Sequence, residues 1–348
     1  MRPLIIPRIS AHERYVLVED ESMQDHLHSM GFEQLGRTFR IDLDEGSMEA
    51  LRNTALQGSM MDALSAMETE TPPTVFKDMC IEYREPKVMG VLNVTPDSFS
   101  DGGAYLDHRK AIDRGLEMAE QGADMIDVGG ESTRPCSYYV DARTEMERVL
   151  PVIEALSGSL DIPVSVDTRK PSVAEKAIDK GARIVNDVSG LREEGMMELV
   201  ASSGVAAVMM HMRGTPTDMQ DDLEYDDVTH EVMRYLHRRS EELLDLGARR
   251  SQIILDPGIG FGKSPEQNLE LIRSLPVMRS LGCPLLIGAS RKSFIGRILQ
   301  SETHDRLEGS LAAASVAVAY GADIIRAHDV SETVRAVGVA AALRPVRG

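Results

Sequence analysis

One arrangement recurs along the chain from about Pro86 to the C-terminus: a short apolar run, then a polar or glycine-rich loop, then an amphipathic stretch. The runs are almost continuously apolar, which is typical of parallel strands that are buried on both faces. Eight runs can be counted, at 88–92, 125–128, 164–166, 184–185, 206–210, 253–255, 285–287 and 323–325.

The stretches between these runs have helical periodicity. They lie at 109–121, 143–157, 172–180, 227–246, 265–275 and 306–320. Alternating strands and helices define the α/β class, and eight units between residues 86 and 348 predict a closed (β/α)₈ barrel. An open, doubly wound sheet is the alternative that the spacing leaves.

The first 75 residues have a weaker pattern of their own. It predicts strands at 15–18 and 38–43, a helix at 21–30 that ends at Gly31, and an amphipathic helix at 47–67. Turn formers follow at 71–74. We therefore expect a small α/β extension over residues 1–75, with a structural or oligomerisation role, and the barrel over residues 76–348.

Composition excludes several classes of protein. A net charge of −18 argues against non-specific binding to nucleic acid or anionic membranes, because both require basic surfaces. The three cysteines form no C-x-x-C pair, so neither a disulfide framework nor a zinc site is indicated. No apolar run is long enough to span a membrane, and the N-terminus does not resemble a signal peptide. These features predict a cytoplasmic protein.

Polar or charged groups follow every apolar run. In a barrel of parallel strands these positions converge on one rim, where active sites are built, so we expect an active site there. The groups are Asn93, the segment 129–131, Asp167, Asn186 with Asp187, His211, Asp256, the segment 290–292, and Arg326 with His328.

Two of the loops have the character of substrate lids. The first, at 93–103, is rich in turn formers and carries Phe99, which could cover a flat substrate. In the second, at 129–136, Arg134 stands beside glycines and could bind a phosphate through two hydrogen bonds.

The segment at 255–264 resembles a nucleotide-binding loop but does not meet the spacing. Only three residues separate Gly258 from Gly262, whereas a P-loop needs four, so an ATPase or dinucleotide enzyme is not indicated. We instead expect a tight turn that places Asp256 and Lys263 on the rim, with Phe261 as a stacking face.

Cationic side chains follow the last two strands. Lys292, Arg326 and His328 predict an anion site, since these loops often bind phosphate in such barrels. His211 is either a buried core residue or a ligand contact. No metal-ligand cluster is visible, but Mg²⁺ held mainly by a diphosphate and by the side-chain oxygen of Asn93 needs none.

Eight motifs occur in barrel order: NVTPDSFSDGG, GGESTRP, VDTRKP, NDVSG, MHMRG, LDPGIGFGK, SRKSFIG and IIRAHDV. Over residues 86–348 the chain resembles the dihydropteroate synthase family. The resemblance implies a homodimeric transferase of folate biosynthesis. It would join 6-hydroxymethyl-7,8-dihydropterin diphosphate to p-aminobenzoate, with Mg²⁺, and release pyrophosphate.

The resemblance also assigns roles to residues. Asp101, Lys292, Arg326 and His328 would be catalytic, and Asn93 would hold the metal. The pterin would be bound by Asp167, Asn186, Asp256, Phe261 and Lys292. The diphosphate would be bound by Arg134, Arg326 and His328. The p-aminobenzoate site would be formed by Phe99, Thr133, Pro135, Ser290 and Arg291.

Alternatives remain at this stage. Cys136 follows Pro135 where the family usually has glycine, and the long N-terminal segment is atypical of compact bacterial enzymes. The cysteine would stiffen the second lid and alter the acceptor pocket, and the N-terminal segment leaves room for another arylamine acceptor, as in methanopterin synthesis. A pterin-dependent methyltransferase domain shares the barrel but does not need the first lid or the diphosphate cations.

Overall fold

The computed structural model describes residues 4–9, 14–19, 27–28, 32–35, 38–42, 63, 65–67, 70–95, 103–132 and 139–344. At the N-terminus, four strands form an antiparallel sheet in the order β1-β2-β4-β3. They are β1 (Leu4–Ile9), β2 (Arg14–Glu19), β3 (Glu33–Leu35) and β4 (Thr38–Asp42).

The predicted strands at 15–18 and 38–43 are confirmed as β2 and β4, whereas β1 and β3 were not predicted. β1 was missed because Pro7 interrupts its apolar run. The strand tolerates this proline since it lies at the edge of the sheet. Of the two predicted N-terminal helices, only residues 27–28, 63 and 65–67 lie within the described residues, and these are helical.

A short hairpin connects the N-terminal sheet to the barrel. It consists of β5 (Thr74–Val75) and β6 (Cys80–Ile81), and the expected boundary between residues 75 and 76 lies inside it. The side chains of Phe76, Ile81 and Tyr83 belong to one apolar cluster with residues from the barrel strands. The hairpin therefore closes the end of the barrel opposite the rim.

Eight parallel strands form the barrel that the sequence predicts. They are β7 (Lys87–Asn93), β8 (Met125–Gly129), β9 (Val164–Asp167), β10 (Ile184–Asp187), β11 (Ala206–Met210), β12 (Ile253–Asp256), β13 (Leu286–Ile287) and β14 (Ile324–Ala327). The hydrogen-bonded order runs β12-β11-β10-β9-β8-β7-β14-β13, and a parallel bridge between Leu255 and Leu285 joins its two ends. The fold class is confirmed.

Helices alternate with these strands. They are α1 (Gly103–Glu120), α2 (Ala142–Ser159), α3 (Pro171–Asp179), α4 (Met196–Ser203), α5 (Val228–Asp245), α6 (Pro265–Arg273), α7 (Leu275–Met278), α8 (Ser293–Leu299), α9 (Leu307–Ala319) and α10 (Val330–Leu343). The helix predicted at 265–275 ends instead at Arg273. Pro276, which has no backbone N–H, starts α7 separately. No helix among the described residues is long and apolar enough to cross a membrane.

The N-terminal sheet has two apolar faces. Leu4, Ile6 and Leu17 belong to the same buried cluster as the barrel helices, whereas Ile5 and Val16 belong to a second cluster on the opposite face. β1 contacts α5 and α7 on the outer surface of the barrel.

An ionic contact reinforces this interface. Glu19 Oε2 accepts hydrogen bonds from Arg234 Nε at 2.6 Å and from His230 Nε2 at 3.2 Å. Burial alone would raise the pKa of Glu19, but the hydrogen bonds from His230 and Arg234 outweigh burial and lower it. The sheet is thus joined to the barrel by both apolar and charged contacts.

We expect truncation of Ile6 to destabilise the whole molecule, because its side chain is 1% exposed and lies in the barrel cluster. Ile6→Ala should lower the free energy of unfolding by about 2–4 kcal/mol. Leu35→Ala is the control, since Leu35 is 46% exposed on β3. Urea unfolding measures both. Equal small effects of the two substitutions would contradict the proposed docking of the sheet.

Candidate active site

Four polar side chains meet at the rim, where β8, β9, β10 and β14 end. The guanidinium of Arg326 donates from Nε to Asp127 Oδ2 and from Nη2 to Asp167 Oδ2, each at 2.7 Å. Asn186 Nδ2 donates to the same Asp127 Oδ2 at 2.8 Å. Asp127 Oδ1 is buried and has no hydrogen-bond partner among the described residues. One oxygen of this carboxylate therefore has no protein donor among the described residues.

The charges in this group depend on one another. Burial alone would lower the pKa of Arg326, but the neighbouring Asp127 and Asp167 outweigh burial and raise it, so the guanidinium stays charged. Burial raises the pKa of Asp167 to about 7, although the charge of Arg326 opposes the shift. The ion pair with Arg326 offsets part of the cost of burying the Asp167 carboxylate.

Asp256 lies at the end of β12 and begins the glycine-rich turn. Its Oδ1 accepts a hydrogen bond from the backbone N–H of Gly258 at 2.7 Å. Burial raises the pKa of Asp256 to about 6, and the Gly258 hydrogen bond and the charge of Lys292 limit the rise. Gly258 has a positive φ, and a Cβ there would collide with the carbonyl oxygen of His211. Only glycine fits this turn.

Lys292 and Phe261 lie against each other beside Asp256. The ammonium of Lys292 is 4.0 Å from the centre of the Phe261 ring, a cation–π contact. Phe261 itself is buried among Val188, Met210, Met212 and Met219. The structure thus places Phe261 beneath the lysine, and 8% of the residue is exposed.

Lys263 and His211, both expected near the rim, are buried beneath the same turn. Lys263 Nζ lies 3.0 Å from His211 Nδ1 and donates to backbone carbonyls. Burial, and then the charge of Lys263, keep the pKa of His211 well below its ordinary value. His211 is therefore a neutral core residue within the described structure, one of the two roles that the sequence left open.

The loop after β13 contacts the end of β14. Ser290 Oγ lies 3.1 Å from His328 Nδ1, and Arg291 pairs with Asp329. Burial, followed by the charge of Arg326, lowers the pKa of His328 to about 3. The sequence suggested a cationic His328, but its imidazole is neutral near pH 7. It can act as a hydrogen-bond donor and not as a positive charge.

Arg291 has a left-handed backbone conformation, with φ of 58°. Such a conformation is uncommon outside glycine and needs support from its surroundings. Arg306 Nη1 donates to the Arg291 carbonyl, and the Arg291 N–H donates to Ser310 Oγ. These contacts fix the loop that places Ser290 and Lys292.

Asn93 is the last residue of β7, and it is half-buried. It pairs in register with Gly129, which in turn pairs with Asp167. Asn93 therefore belongs to the same rim as the carboxylates. Five other predicted site residues lie outside the described residues: Phe99, Asp101, Thr133, Arg134 and Pro135.

Asp127 was not among the predicted site residues. It lies within an apolar run, one position before Val128, whereas the predicted site residues all lie after the runs. A carboxylate inside a strand buried on both faces was the signal available. Such a charge must be paired or serve a ligand, because burying it alone is costly.

The fold and this rim define a barrel enzyme with an acidic, partly unsatisfied pocket. A model of the family described as pterin binding enzyme matches residues 89–328. The dihydropteroate synthase of Escherichia coli K12 is 44% identical over 259 residues, which cover 74% of this chain and 92% of that protein. The Synechocystis enzyme is 42% identical and covers 81% of this chain and 99% of its own length.

Solved structures agree with the sequence comparisons. A Xanthomonas albilineans dihydropteroate synthase with 4-aminobenzoic acid is similar with a TM-score of 0.75 and 42% identity, over 79% of this chain and 99% of that one. The same organism's enzyme in complex with 7,8-dihydropteroate has a TM-score of 0.72 at 40% identity, over 79% and 100%. The chain belongs to the dihydropteroate synthase family of pterin-binding enzymes.

The raised pKa of Asp256 predicts a pH-dependent effect on stability. Its ionised form is disfavoured in the folded state, so the wild type should lose stability as pH rises through about 6. Asp256→Asn keeps an acceptor for Gly258 but cannot ionise. The stability of the variant minus that of the wild type should therefore be larger at pH 8 than at pH 5. Thermal melts at both pH values measure this difference, and a constant difference would refute the shift.

Proposed function

We propose that this enzyme condenses 6-hydroxymethyl-7,8-dihydropterin diphosphate with p-aminobenzoate and forms 7,8-dihydropteroate and pyrophosphate. The observation that carries the proposal is the buried group of Asp127, Asp167, Asn186 and Arg326, with one carboxylate oxygen left unpaired. The edge of a pterin presents several N–H donors in a plane, and carboxylates can accept them in pairs.

Side chains at the strand ends around this group would bind the pterin. Asp256, Asp167 and the amide of Asn186 offer hydrogen-bond acceptors and donors to the heterocycle, and burial raises the pKa values of both carboxyls. Lys292 lies between Phe261 and the pocket and can donate to a ring oxygen or nitrogen. Burial excludes water from these hydrogen bonds, and hydrogen bonds are stronger in the protein interior than in water.

The diphosphate end of the substrate falls to the cationic side of the rim. Arg326 stays charged, and neutral His328, oriented by Ser290, can donate a hydrogen bond to a phosphate oxygen. Arg134 would complete this set from the second loop. Phe99, Thr133, Pro135, Ser290 and Arg291 would shape the p-aminobenzoate site, and Asp101 would lie near the reacting methylene.

Asn93 fits a role as magnesium ligand. The described residues hold no group of three or more potential His, Cys, Asp or Glu ligands, so a site built from protein alone is not available there. An amide oxygen at the rim suits Mg²⁺ that is coordinated mainly by phosphate oxygens and water. When bound, the ion would supply positive charge to the leaving diphosphate.

The reaction needs positioning and charge stabilisation, with no covalent nucleophile. The bond between the pterin methylene carbon and the diphosphate oxygen breaks, and pyrophosphate takes the electron pair. Positive charge spreads over the pterin ring, which the carboxylates of Asp167 and Asp256 stabilise. The amine nitrogen of p-aminobenzoate then bonds to the methylene and loses a proton to solvent or pyrophosphate.

Lys292→Ala tests the assignment of the pterin site. Losing one charged hydrogen bond should weaken binding of the pterin diphosphate roughly 10- to 100-fold, as measured by calorimetry. Lys176→Ala is the control, because Lys176 is half-exposed on α3 and pairs with Asp179. Affinity in Lys292→Ala equal to that of the control would refute the assignment.

The protein would act as a homodimer. α9 and α10 pack on each other, and their outer surfaces expose Val316, Tyr320 and Val339. Val339 is 63% exposed. Exposed apolar side chains on two neighbouring helices are typical of an interaction surface. A second copy of the chain would bury this surface. Residues 1–75 would brace the outer wall of the barrel elsewhere, at α5 and α7.

Val339→Glu should convert the dimer into monomers, because it places a charge in the proposed interface without disturbing the core. Sedimentation velocity measures the change. Leu246→Glu is the matched control, since Leu246 is 47% exposed at the end of α5 and should leave the dimer intact. A wild-type protein that sediments as a monomer, or a dimeric Val339→Glu variant, would overturn the proposed interface.

A further inference from the structure

A buried lysine, Lys263, lies beneath the turn that follows β12. Its Nζ donates to the carbonyl oxygens of Phe261 at 2.8 Å, Gly258 at 3.0 Å and His211 at 3.2 Å. It also lies 3.0 Å from His211 Nδ1. All four partners are neutral, and the residue is only 3% exposed. A buried ammonium with such partners is costly, which calls for a compensating role.

The lysine joins two strand ends. His211 follows β11, whereas Gly258 and Phe261 belong to the turn after β12. The His211 ring is in turn enclosed by Tyr235, whose ring meets it edge-on with centres 5.0 Å apart. Lys263 therefore links the glycine-rich turn to His211, which follows the neighbouring strand β11.

The turn contacts both of the side chains that are proposed to bind the pterin on this side of the rim, Asp256 and Lys292. The peptide N–H of Gly258 donates to Asp256, while the carbonyl of the same residue accepts from Lys263. Phe261 behaves similarly, because its carbonyl accepts from Lys263 and its ring supports the ammonium of Lys292. A shift of this turn would therefore change the hydrogen bond to Asp256 and the ring contact to Lys292 together.

The glycines of this turn are closely packed, so that side chains at their positions would meet neighbouring atoms. A Cβ at Gly260 would lie 2.9 Å from Lys292 Cδ, and one at Gly262 would lie 3.0 Å from the Met219 carbonyl oxygen. Asn268 Oδ1 accepts from the Gly260 N–H at 2.6 Å, which fixes the outer side of the turn. Lys263 holds the turn from beneath, through the carbonyl oxygens of Gly258 and Phe261.

We infer that Lys263 is a positioning residue for the pterin, which holds Asp256 and Lys292 at the spacing that the heterocycle requires. It does not itself touch the substrate. This inference rests on the proposed function and adds a specific residue to it. Burial lowers the pKa of Lys263 to about 7, against the opposing charge of Asp256, in keeping with a group placed where solvation is poor.

The test replaces Lys263 with methionine, which keeps the length of the side chain but removes its donors. Lys263→Met should raise the dissociation constant of the pterin diphosphate by at least about 10-fold, since the turn's contacts to two pterin-binding side chains change together. The Michaelis constant for p-aminobenzoate at saturating pterin should change by less than about twofold, because Ser290 and Arg291 are held by other contacts. Lys180→Met is the matched control, as Lys180 is exposed and pairs with Glu154.

Several outcomes would overturn the inference. A purely structural lysine would lower the melting temperature but leave the pterin dissociation constant of the folded molecules unchanged. Equal loss for both substrates would also contradict it. If Lys263→Met does not fold, Lys263→Arg keeps the charge with altered donor geometry and should bind pterin several-fold more weakly than wild type. Pterin affinity equal to wild type in this variant would overturn the inference.

The two proposals fail in different ways. Wild-type enzyme that binds the pterin diphosphate but makes no dihydropteroate would overturn the proposed function. An active wild-type enzyme together with a Lys263 variant of normal pterin affinity would overturn only the role of Lys263.

Discussion

The active site depends on the guanidinium of Arg326, which lies between Asp127 and Asp167 inside the barrel. Two buried carboxylates beside each other would repel, and an isolated arginine would be costly to bury, so neither charge is tolerable without the other. Because the three side chains come from β8, β9 and β14, the pairing also couples distant parts of the chain. Forming the closed barrel therefore brings the three side chains of this group together.

The protein does not satisfy every buried polar group in this pocket. Asp127 retains an oxygen without a partner among the described residues, and Asp167 and Asp256 have pKa values raised by burial. A substrate with several N–H donors in one plane would relieve these unfavourable groups on binding. The pocket is therefore preorganised for its ligand at some expense of stability in its absence.

Much of this was predictable from sequence because parallel barrel strands are buried on both faces and therefore read as apolar runs. All eight strands were predicted, and so were the rim positions Asp167, Asn186, Asp256 and Arg326. Asp127 was not predicted as a site residue because it lies within an apolar run. The neutral state of His328 was not predicted because it depends on burial and on the charge of Arg326. The role proposed for Lys263 was not predictable from sequence, because its partners include backbone carbonyl oxygens, which only the folded structure brings to it.

The most direct test of the account is the reaction of purified protein with the dihydropterin diphosphate and Mg²⁺, with and without p-aminobenzoate. We expect dihydropteroate to form only when p-aminobenzoate is present, with one pyrophosphate released for each molecule of product. Protein that binds the pterin diphosphate but forms no dihydropteroate would contradict it.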